Sequence, residues 1–591
     1  MQLLEATVRR IHLPDCGFVV DRHAYRRCLG GVGLATSLLS EISADDIVLA
    51  FSPLVGTPLT TSAKFAVVAR SPLTHRLNDS LSSSHFAIAG RKTGVDAIVI
   101  SGCCAAASIL VIDDDRVEIA SANALHGLST SETESALRKQ FGPGFQFLAI
   151  GPAGENGVRY ANLSHGSRHA GRGGLGAVMG AKHLKAIAVR GTKPIPLHDP
   201  AGVHAVAKDL SKRSFGPATA KYRELGTVSN LLTFNRLNAL PTRNFQEGTF
   251  EGAEAISGEA LNASLRIARE SCAACTIGCE HIYQAADGSG VRLEYESLFA
   301  LGPLCGIGDR QTVVEAAKLC DELGLDTIST GATVAFAMEC VQRGLLDVAW
   351  LKFGSNDALL RMIPMIARRE GIGNLLAEGT RIAAERIGGD APSFAPHVKG
   401  LEIPGYEPRA LQTMALGFAV GSRGADHNRS GAYEIDFSER ADRYHGTPTA
   451  ARLAVETEDR AALMDSLILC KFLRGVLTDF WGECARMLNL VTGWDTTPEE
   501  LQLTAKRIVT AKKQLNIRWG WTMAEDTLPR RFLSEGLPAG LSPGAVLPRE
   551  RLDAMIQAYY HERGWNAEGL PTEETIRKLG LQARQSNIEN D

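Results

Sequence analysis

Three cysteines within eight residues constrain this chain more than any other feature. The segment Cys272-Ala-Ala-Cys275-Thr-Ile-Gly-Cys279 places three thiols on a turn of small residues. Thiols at this spacing can converge on a 4Fe–4S cube, whose fourth thiolate commonly comes from a distant cysteine. They can also bind a zinc ion, for which His281 is the nearest candidate as fourth ligand. The spacing alone leaves both centres open, with the iron–sulfur cluster favoured.

Composition points to the same chemistry. The chain has 591 residues and twelve cysteines, and clustered cysteines in a long cytoplasmic protein indicate metal or redox chemistry before disulfides. The net charge of −3 offers no basic excess for binding nucleic acid. No apolar run approaches the ~18 residues that span a bilayer, and the first ten residues contain no signal-peptide core. We therefore expect a cytoplasmic protein with no nucleic-acid partner and no membrane span.

The chain changes character near residue 195. Before this point, short β-branched runs at 64–71, 96–102, 109–115 and 185–191 predict strands. Amphipathic helices predominate after the proline-rich segment 191–200, and 401–410 interrupts the helices a second time. The sequence thus divides into three segments, 1–195, 196–400 and 401–591.

A glycine-rich segment precedes the first boundary. Gly171, Gly173 and Gly176 satisfy the pattern G-x-G-x-x-G, but a dinucleotide-binding fold also needs a strand before it, a full helix after it and an acid about 20 residues on. Here a strand-like run follows within ten residues, and Asp199 lies beyond two prolines. We reject the dinucleotide interpretation. The glycines either form a tight structural turn or let backbone amides approach an anionic ligand.

Several acidic residues and one histidine are candidates for binding or proton transfer. Asp321 and Asp326 lie five positions apart near a predicted helix end, and Asp465 precedes Cys470 by the same interval. A carboxylate in such a place can accept paired N–H bonds from a flat heterocycle. Glu296 and His427 could move protons at a redox centre. Taken singly, each of these side chains is better explained by a structural role.

Taken in order, these segments resemble the aldehyde ferredoxin oxidoreductase family, whose members hold tungsten or molybdenum on pyranopterins. The resemblance extends over nearly the whole chain. It implies an α+β fold with a strand-rich N-terminal pterin-binding base domain (1–195) followed by two mainly α-helical domains. The domain at 196–400 would carry the first three cluster cysteines and the first pterin motif, and the domain at 401–591 the second pterin motif and the fourth cysteine. The motifs that carry the resemblance are GPAGENGVRYA (151–161), GRGGLGAVMGAKHLKAIAVRG (171–191), CAACTIGC (272–279), EYES (294–297), CDELGLDTISTG (320–331), SRGADH (422–427), DSLILC (465–470) and DTLPRRF (526–532).

The resemblance also implies a set of cofactor ligands. Cys272, Cys275, Cys279 and Cys470 would ligate one 4Fe–4S cluster. Two pyranopterins would hold the metal through their dithiolenes, with Mg²⁺ bridging the pterin phosphates. Tungsten and molybdenum are not distinguished, because neither metal would touch a protein side chain. The residues that would contact the pterins are Lys64, Arg172, Gly173, Leu175, Asp321, Leu325, Asp326, Arg423, Arg429, Asp465 and Leu469.

Five features depart from the family's pattern. Lys64 replaces the usual arginine between pterin and cluster, and it lacks the planar fork of a bidentate contact. A loop at 81–84, Leu-Ser-Ser-Ser, replaces the usual Asn-Ser-Gly-Gly. Ile468 stands in place of a glycine, and Asp426 stands where a cysteine often precedes the histidine. Glu315 lacks a histidine three positions on, so we expect no dimer-bridging iron.

The implied function is oxidation of an aldehyde to a carboxylic acid, with water as the oxygen source. Glu296 would act as general base, and His427 would orient the substrate oxygen or shuttle a proton. The chain shows no flavin or nicotinamide motif, so electrons would pass through the cluster to ferredoxin or a partner iron–sulfur subunit, in a homodimer or hetero-oligomer. Two alternatives stay open: an acid or aryl-thioester reductase of the benzoyl-CoA type, and a non-catalytic electron-transfer or assembly subunit.

Overall fold

A computed structural model describes residues 5–582, so the outermost parts of the first and third predicted domains, 1–4 and 583–591, lie outside the described residues. The N-terminal part contains two six-stranded sheets, with strand orders β2-β1-β6-β3-β4-β5 and β11-β10-β9-β12-β7-β8. Their strands are β1 (Glu5–Leu13), β2 (Gly17–Ala24), β3 (Ile47–Ala50), β4 (Lys64–Arg70), β5 (Leu77–Ser83), β6 (Ala97–Gly102), β7 (Ser108–Asp113), β8 (Arg116–Ser121), β9 (Gln146–Ala149), β10 (Leu163–His165), β11 (Arg168–Ala170) and β12 (Leu184–Arg190).

The four β-branched runs form strands β4, β6, β7 and β12, as predicted. One expectation was wrong: 81–83 are not part of a loop. These residues belong to β5, which pairs with β4 along its whole length, from Lys64 opposite Ser83 to Arg70 opposite Leu77. The ladder satisfies the backbone polar groups of this segment, and only Ser84 lies beyond the strand.

Short helices connect these strands. The helix after the glycine-rich segment has only seven residues and is followed directly by β12, unlike the long helix of a dinucleotide-binding unit. The helices of this part are α1 (Gly31–Leu39), α2 (His85–Lys92), α3 (Thr130–Phe141), α4 (Pro152–Glu155) and α5 (Leu175–Ala181).

The rest of the chain is mainly helical, which confirms the predicted α+β class. Two small sheets interrupt the helices: β13 (Arg266–Glu270), β14 (Glu280–Gln284) and β15 (Gly290–Arg292) form one, and β16 (His397–Val398) and β17 (Leu401–Glu402) form the other. The helices are α6 (Pro200–Ser214), α7 (Ala220–Leu225), α8 (Asn230–Arg236), α9 (Gly258–Ser264), α10 (Tyr295–Leu301), α11 (Arg310–Leu323), α12 (Thr327–Gln342), α13 (Asn356–Ala367), α14 (Ile372–Leu376), α15 (Thr380–Ile387), α16 (Ala391–Phe394), α17 (Gln412–Val420), α18 (His427–Ser430), α19 (Tyr433–Asp436), α20 (Pro448–Leu467), α21 (Phe480–Thr492), α22 (Pro498–Arg518), α23 (Arg530–Ser534), α24 (Arg549–Arg563) and α25 (Glu573–Leu579).

Helix α20 connects the two large hydrophobic cores. Its first turns, including Ala450 and Val455, pack into the core shared with α10 to α17 and α24. Its last turn, including Leu463 and Leu467, packs into the core of the N-terminal sheets together with α21 and α22. The C-terminal end of α20 thereby brings Asp465 to the N-terminal part of the molecule. Among the described residues, no helix combines the length and apolar character that crossing a bilayer requires.

Candidate active site and cluster-binding region

The three closely spaced cysteines lie on the cluster loop, 271–279, which joins β13 to β14. The N–H of Thr61 donates to Ala274 O at 2.7 Å, and Thr61 Oγ1 accepts from the N–H of Cys470 at 3.3 Å. Thr61 therefore links the cluster loop to the fourth cysteine. Burial, helped by Cys470 and Cys272 and opposed by the N–H of Ile277, raises the pKa of the Cys275 thiol to about 11.

Four thiols that influence one another's ionisation would fit a 4Fe–4S cube, which takes four thiolate ligands. Within residues 5–582, no three His, Cys, Asp or Glu side chains are arranged to hold a single metal ion. Lys64, at the start of β4, faces the same thiols. Burial alone would lower the pKa of Lys64, but the charges of Cys470, Cys272 and Asp465 outweigh burial and raise it. A permanent positive charge therefore stands beside the cysteines.

Arg172 links the three segments of the chain. Its Nη1 donates to Ala425 O at 2.8 Å, its Nη2 donates to Glu402 O at 2.6 Å, and its Nε donates to Asp326 Oδ2 at 3.2 Å. The guanidinium is buried, and its fork geometry suits several fixed oxygen acceptors at once. Arg172 thus fixes the glycine-rich turn against α12, β17 and the segment that precedes α18.

The turn itself requires glycine for local reasons. Gly173 and Gly174 have φ angles of 84° and 82°, in the left-handed region. A Cβ on Gly173 would lie 2.0 Å from Asn78 Oδ1, and one on Gly174 would lie 2.1 Å from Arg159 O. Backbone conformation and close packing thus account for these two glycines. The next residue, Leu175, begins α5 and is buried.

The first pair of aspartates has two different environments. Asp321, in the last turn of α11, places Oδ1 3.1 Å from His169 Nε2. Asp326 is the N-cap of α12, accepts from the N–H of Ile328 at 3.1 Å and neighbours Arg172. Leu325, between them, is buried and forms an isolated β-bridge with Ala161. The sequence-predicted motif therefore also closes the junction between α11 and α12.

Asp465, the aspartate of the second predicted pterin motif, lies in a buried network that sequence reasoning did not find. Asp79 on β5 is fully buried, and its Oδ2 lies 2.8 Å from Arg429 Nε and 3.0 Å from Lys512 Nζ. Arg429 Nη1 lies 3.3 Å from Asp465 Oδ2, and Lys471 Nζ lies 2.9 Å from Asp465 Oδ1. Burial alone would raise the pKa of Asp79, but Arg429 and Lys512 hold it below its ordinary value. No local pattern marked Asp79 or Lys512, which are 433 positions apart.

Residues around Asp426 explain one departure from the family's pattern. Asp426 is the N-cap of α18, accepting from the N–H of Arg429 at 2.9 Å, and its other oxygen pairs with Arg423. Arg423 also donates to Asp79 O and reaches Ser80 Oγ at 3.4 Å. Asp426 therefore orders the arginines on this side of the site. Leu469 is buried, and Ile468 ends α20 with a φ of 66°, a conformation that glycine adopts more easily.

Glu296 and His427 meet although they are far apart in the sequence. Glu296 Oε1 lies 3.5 Å from His427 Nδ1, and Glu296 Oε2 accepts from the N–H of Gly405 at 3.0 Å. The two side chains expose only 18% and 12% of their surface. Burial raises the pKa of Glu296 to about 8, opposed by Gly405 and Arg172. Burial lowers the pKa of His427 to about 3, although Asp426 opposes this shift.

Aromatic side chains hold this pair in place. The Tyr406 ring stacks on His427 with centroids 4.9 Å apart, and Tyr295 OH donates to Gly405 O at 2.6 Å. The segment that carries Tyr406 is fixed by Arg409, whose Nε donates to Glu407 Oε1 at 2.8 Å and whose Nη2 donates to Phe245 O at 2.5 Å. Sequence reasoning missed Tyr406 and Arg409; the boundary segment 401–410 was their only signal.

Unpaired polar atoms concentrate around these residues. Buried polar atoms are normally hydrogen-bonded, so a concentration of exceptions marks a place where a polar group binds. The charged groups and hydroxyls at this place suit a large phosphorylated heterocycle, so the residues present fit a pyranopterin. The residues with such atoms here are Asp79, Ser82, Ser84, His169 and Arg423.

Family models identify the class of protein as an oxidoreductase. A family model described as "Aldehyde ferredoxin oxidoreductase, N-terminal domain" matches residues 18–191, and one described as "Aldehyde ferredoxin oxidoreductase, domains 2 & 3" matches residues 173–581. The chain therefore belongs to the aldehyde ferredoxin oxidoreductase family, which confirms the resemblance seen in the sequence.

Relatives match the chain over nearly its whole length. The tungsten-containing aldehyde ferredoxin oxidoreductase of Pyrococcus furiosus is 36% identical, covering 95% of this chain and 96% of the relative. The enzyme of the same description from Thermococcus kodakarensis is 37% identical over 94% of this chain and 95% of its own. An aliphatic sulfonate oxidoreductase, WOR-like subunit, of Pyrococcus furiosus is 29% identical over 98% and 96%. Because these relatives are oxidoreductases, the non-catalytic alternative is set aside.

A solved structure shares the fold. The active site complex BamBC of benzoyl coenzyme A reductase, with bound 1,5-dienoyl-CoA, superposes with a TM-score of 0.84 at 23% identity and covers 98% of both chains. This likeness confirms the α+β architecture.

Proposed function

We propose that this protein oxidises an aldehyde to a carboxylic acid, using water as the oxygen source and a tungsten bis-pyranopterin as cofactor. The observation that carries the proposal is the contact between Glu296 and His427. A buried carboxyl group with a raised pKa and a neutral imidazole form an acid–base pair of the kind that proton removal requires. The relatives described as tungsten-containing enzymes support this metal over molybdenum.

The cofactors would be held by three groups of residues. Cys272, Cys275, Cys279 and Cys470 would hold one 4Fe–4S cluster, and a Mg²⁺ ion would be bound together with the pterins. When bound, the pterin-held metal would supply a Lewis acid and an acceptor of two electrons. The proposed pterin contacts are Arg172, Gly173, Leu175, Asp321, Leu325 and Asp326 on one side, Arg423, Arg429, Asp465 and Leu469 on the other, and Lys64 beside the cysteines.

Two side chains would handle the protons. Ionised Glu296 would accept a proton from the water or aldehyde hydrate at its Oε1, while the N–H of Gly405 holds Oε2. His427 stays neutral near pH 7 because its pKa lies near 3, so one ring nitrogen can donate while the other accepts. The stacked Tyr406 ring fixes the plane of the imidazole. Aldehyde and water thus give acid, two protons and two electrons.

The electrons require an external acceptor. We propose ferredoxin or a partner iron–sulfur subunit, with the chain in a homodimer or hetero-oligomer. The structure that shares the fold is a complex of benzoyl coenzyme A reductase, in agreement with an oligomer.

Activity and metal content test the proposal together. Purified protein would be analysed for tungsten, molybdenum and iron, then assayed with a panel of aldehydes and a viologen dye. We expect tungsten, four irons of one cluster, and dye reduction with acid as product. If no aldehyde reduces the dye but an aryl thioester or an aliphatic sulfonate is turned over, that class of compound replaces aldehydes as the proposed substrate. Iron without tungsten or molybdenum would refute the cofactor assignment.

A further inference from the structure

The cluster loop lies at the molecular surface. Its three cysteines are partly exposed, and Ser271, Ala274 and Thr276 beside them are exposed. Thr276 Oγ1 lies 2.7 Å from Ser214 Oγ, which places the end of α6 against the loop. If electrons leave the protein, this is where an acceptor could approach the four cysteines most closely.

The surface around this loop carries cations and apolar side chains. The Arg223 guanidinium lies 4.4 Å from the centroid of the Phe215 ring, and Arg269 Nη1 donates to Arg223 O at 3.5 Å. Arg269 Nε lies 3.7 Å from the position that a Cβ would take on Gly278, so this arginine borders the loop itself. We call this surface the exit face. Its residues are Phe215, Lys221, Arg223, Arg266, Ile267 and Arg269.

The two apolar side chains of the exit face are largely exposed to solvent. Phe215 exposes 57% of its surface and Ile267 exposes 51%. Ile267 lies in β13, an edge strand whose five residues are all exposed, and a groove of about 280 Å³ runs along Arg266, Ile267 and Arg269. Arginines and a bulge on an edge strand also prevent unwanted strand pairing, so the free backbone edge of β13 is not evidence for a partner. Exposed apolar groups ringed by charge are typical of binding surfaces.

The positive charge of the exit face indicates an acidic partner. Among residues 5–582, Lys221, Arg223, Arg266 and Arg269 form no ion pair with a carboxylate. The exposed acids on α7, α9 and β13 are Glu224, Glu259 and Glu270, one fewer than these four cations, so the exit face keeps an excess of positive charge within a chain whose net charge is −3. Unpaired cations attract and orient an acidic protein.

We infer that the exit face is the docking surface for a small acidic iron–sulfur protein of the ferredoxin type, seated over the cluster loop. This inference rests on the proposed function, because that reaction releases two electrons per aldehyde. Two one-electron acceptors would then dock in turn, and each would leave reduced by one electron. Arg266 and Arg269 would steer the partner, and Ile267 with Phe215 would form the apolar centre of the contact.

Charge reversal tests the inference on the holoenzyme. The variant Arg266→Glu/Arg269→Glu is compared with Lys139→Glu/Lys352→Glu, which makes the same change at two exposed lysines that form no ion pair within the described chain. The probe is an acidic bacterial ferredoxin. Its dissociation constant is measured in the oxidised state without substrate, at low and high salt, and the rates are measured with ferredoxin and with viologen.

We expect the exit-face variant to bind ferredoxin about tenfold more weakly and to raise KM for ferredoxin by a similar factor. Its viologen-linked rate should stay at the wild-type level, since a small dye needs no docking surface. The control variant should bind as the wild type does. Unchanged ferredoxin affinity in the exit-face variant, or an equal loss in the control, would overturn the inference.

Two further outcomes separate this inference from others. If the exit-face variant loses affinity for a heparin-like polyanion but wild-type protein does not bind ferredoxin, the face binds nucleic acid or another polyanion, and the inference is wrong. If wild-type protein binds ferredoxin at this face but shows no aldehyde-dependent dye reduction, the docking surface is supported and the proposed reaction is refuted.

Discussion

Replacing Glu296 by Gln tests the acid–base pair most directly. Burial raises the pKa of Glu296 from its ordinary value of 4.5 to about 8. A base with this pKa is about 9% ionised at pH 7 and about 91% ionised at pH 9. We therefore expect kcat/KM of the wild type to rise about tenfold over this range, with an apparent pKa near 8. His427, with a pKa of about 3, does not titrate in this range and so adds no further change to the pH–rate profile.

Glu296→Gln removes the ionisable group and keeps the shape. Loss of a general base lowers rates by about 10²- to 10⁴-fold, and the ascending limb should disappear. The matched control is Glu294→Gln, because Glu294 lies two residues away and pairs with Arg292 at 3.3 Å. Its pH profile should keep the wild-type limb. Metal content should be unchanged in both variants. A limb near pH 8 that persists in Glu296→Gln would refute the assigned role.

The same shift predicts an effect on stability. A rise of about 3.5 in pKa, at 1.36 kcal/mol for each pH unit, corresponds to about 5 kcal/mol. A raised pKa means that the folded protein holds the proton more tightly than the unfolded chain. This stabilisation is complete below pH 4.5 and is lost as the pH rises through about 8. The melting temperature of Glu296→Gln, measured by calorimetry, should therefore fall less than that of the wild type between pH 5 and pH 9.

Three other predictions concern cofactor binding and stability. Gly174→Ala should destabilise the protein by more than about 2 kcal/mol in thermal unfolding, because its Cβ would overlap a carbonyl; Gly157→Ala, with open space around it, should cost about 1 kcal/mol. Cys470→Ser should lower the iron content and change the EPR spectrum of the reduced protein, whereas Cys484→Ser, at a buried position outside the cluster region, should do neither. Arg409→Met, which breaks a buried ion pair, should destabilise the fold by about 3–5 kcal/mol, and Arg409→Lys should restore part of this loss. Equal effects within any of the three matched pairs would contradict the corresponding reasoning.

Local patterns predicted much of the fold. The β-branched runs form β4, β6, β7 and β12, and helices predominate after the proline-rich segment 191–200. These features depend on neighbours a few residues away, so a sequence displays them directly. The segment at 81–83 was expected to be a loop because of the family resemblance, whereas pairing with β4 makes it a strand.

The sequence by itself determined the family, the four candidate cluster cysteines and the candidates Glu296 and His427, because ordered motifs and residue types are written in it. Tertiary structure decided what surrounds them. It placed Glu296 Oε1 3.5 Å from His427 Nδ1, put Asp79 against Lys512 and gave Ile468 a left-handed backbone at the end of α20. Burial and charge shift a pKa through atoms brought together from distant parts of the chain. Folding alone creates those environments, so the protonation states of this site could not be inferred from residue order.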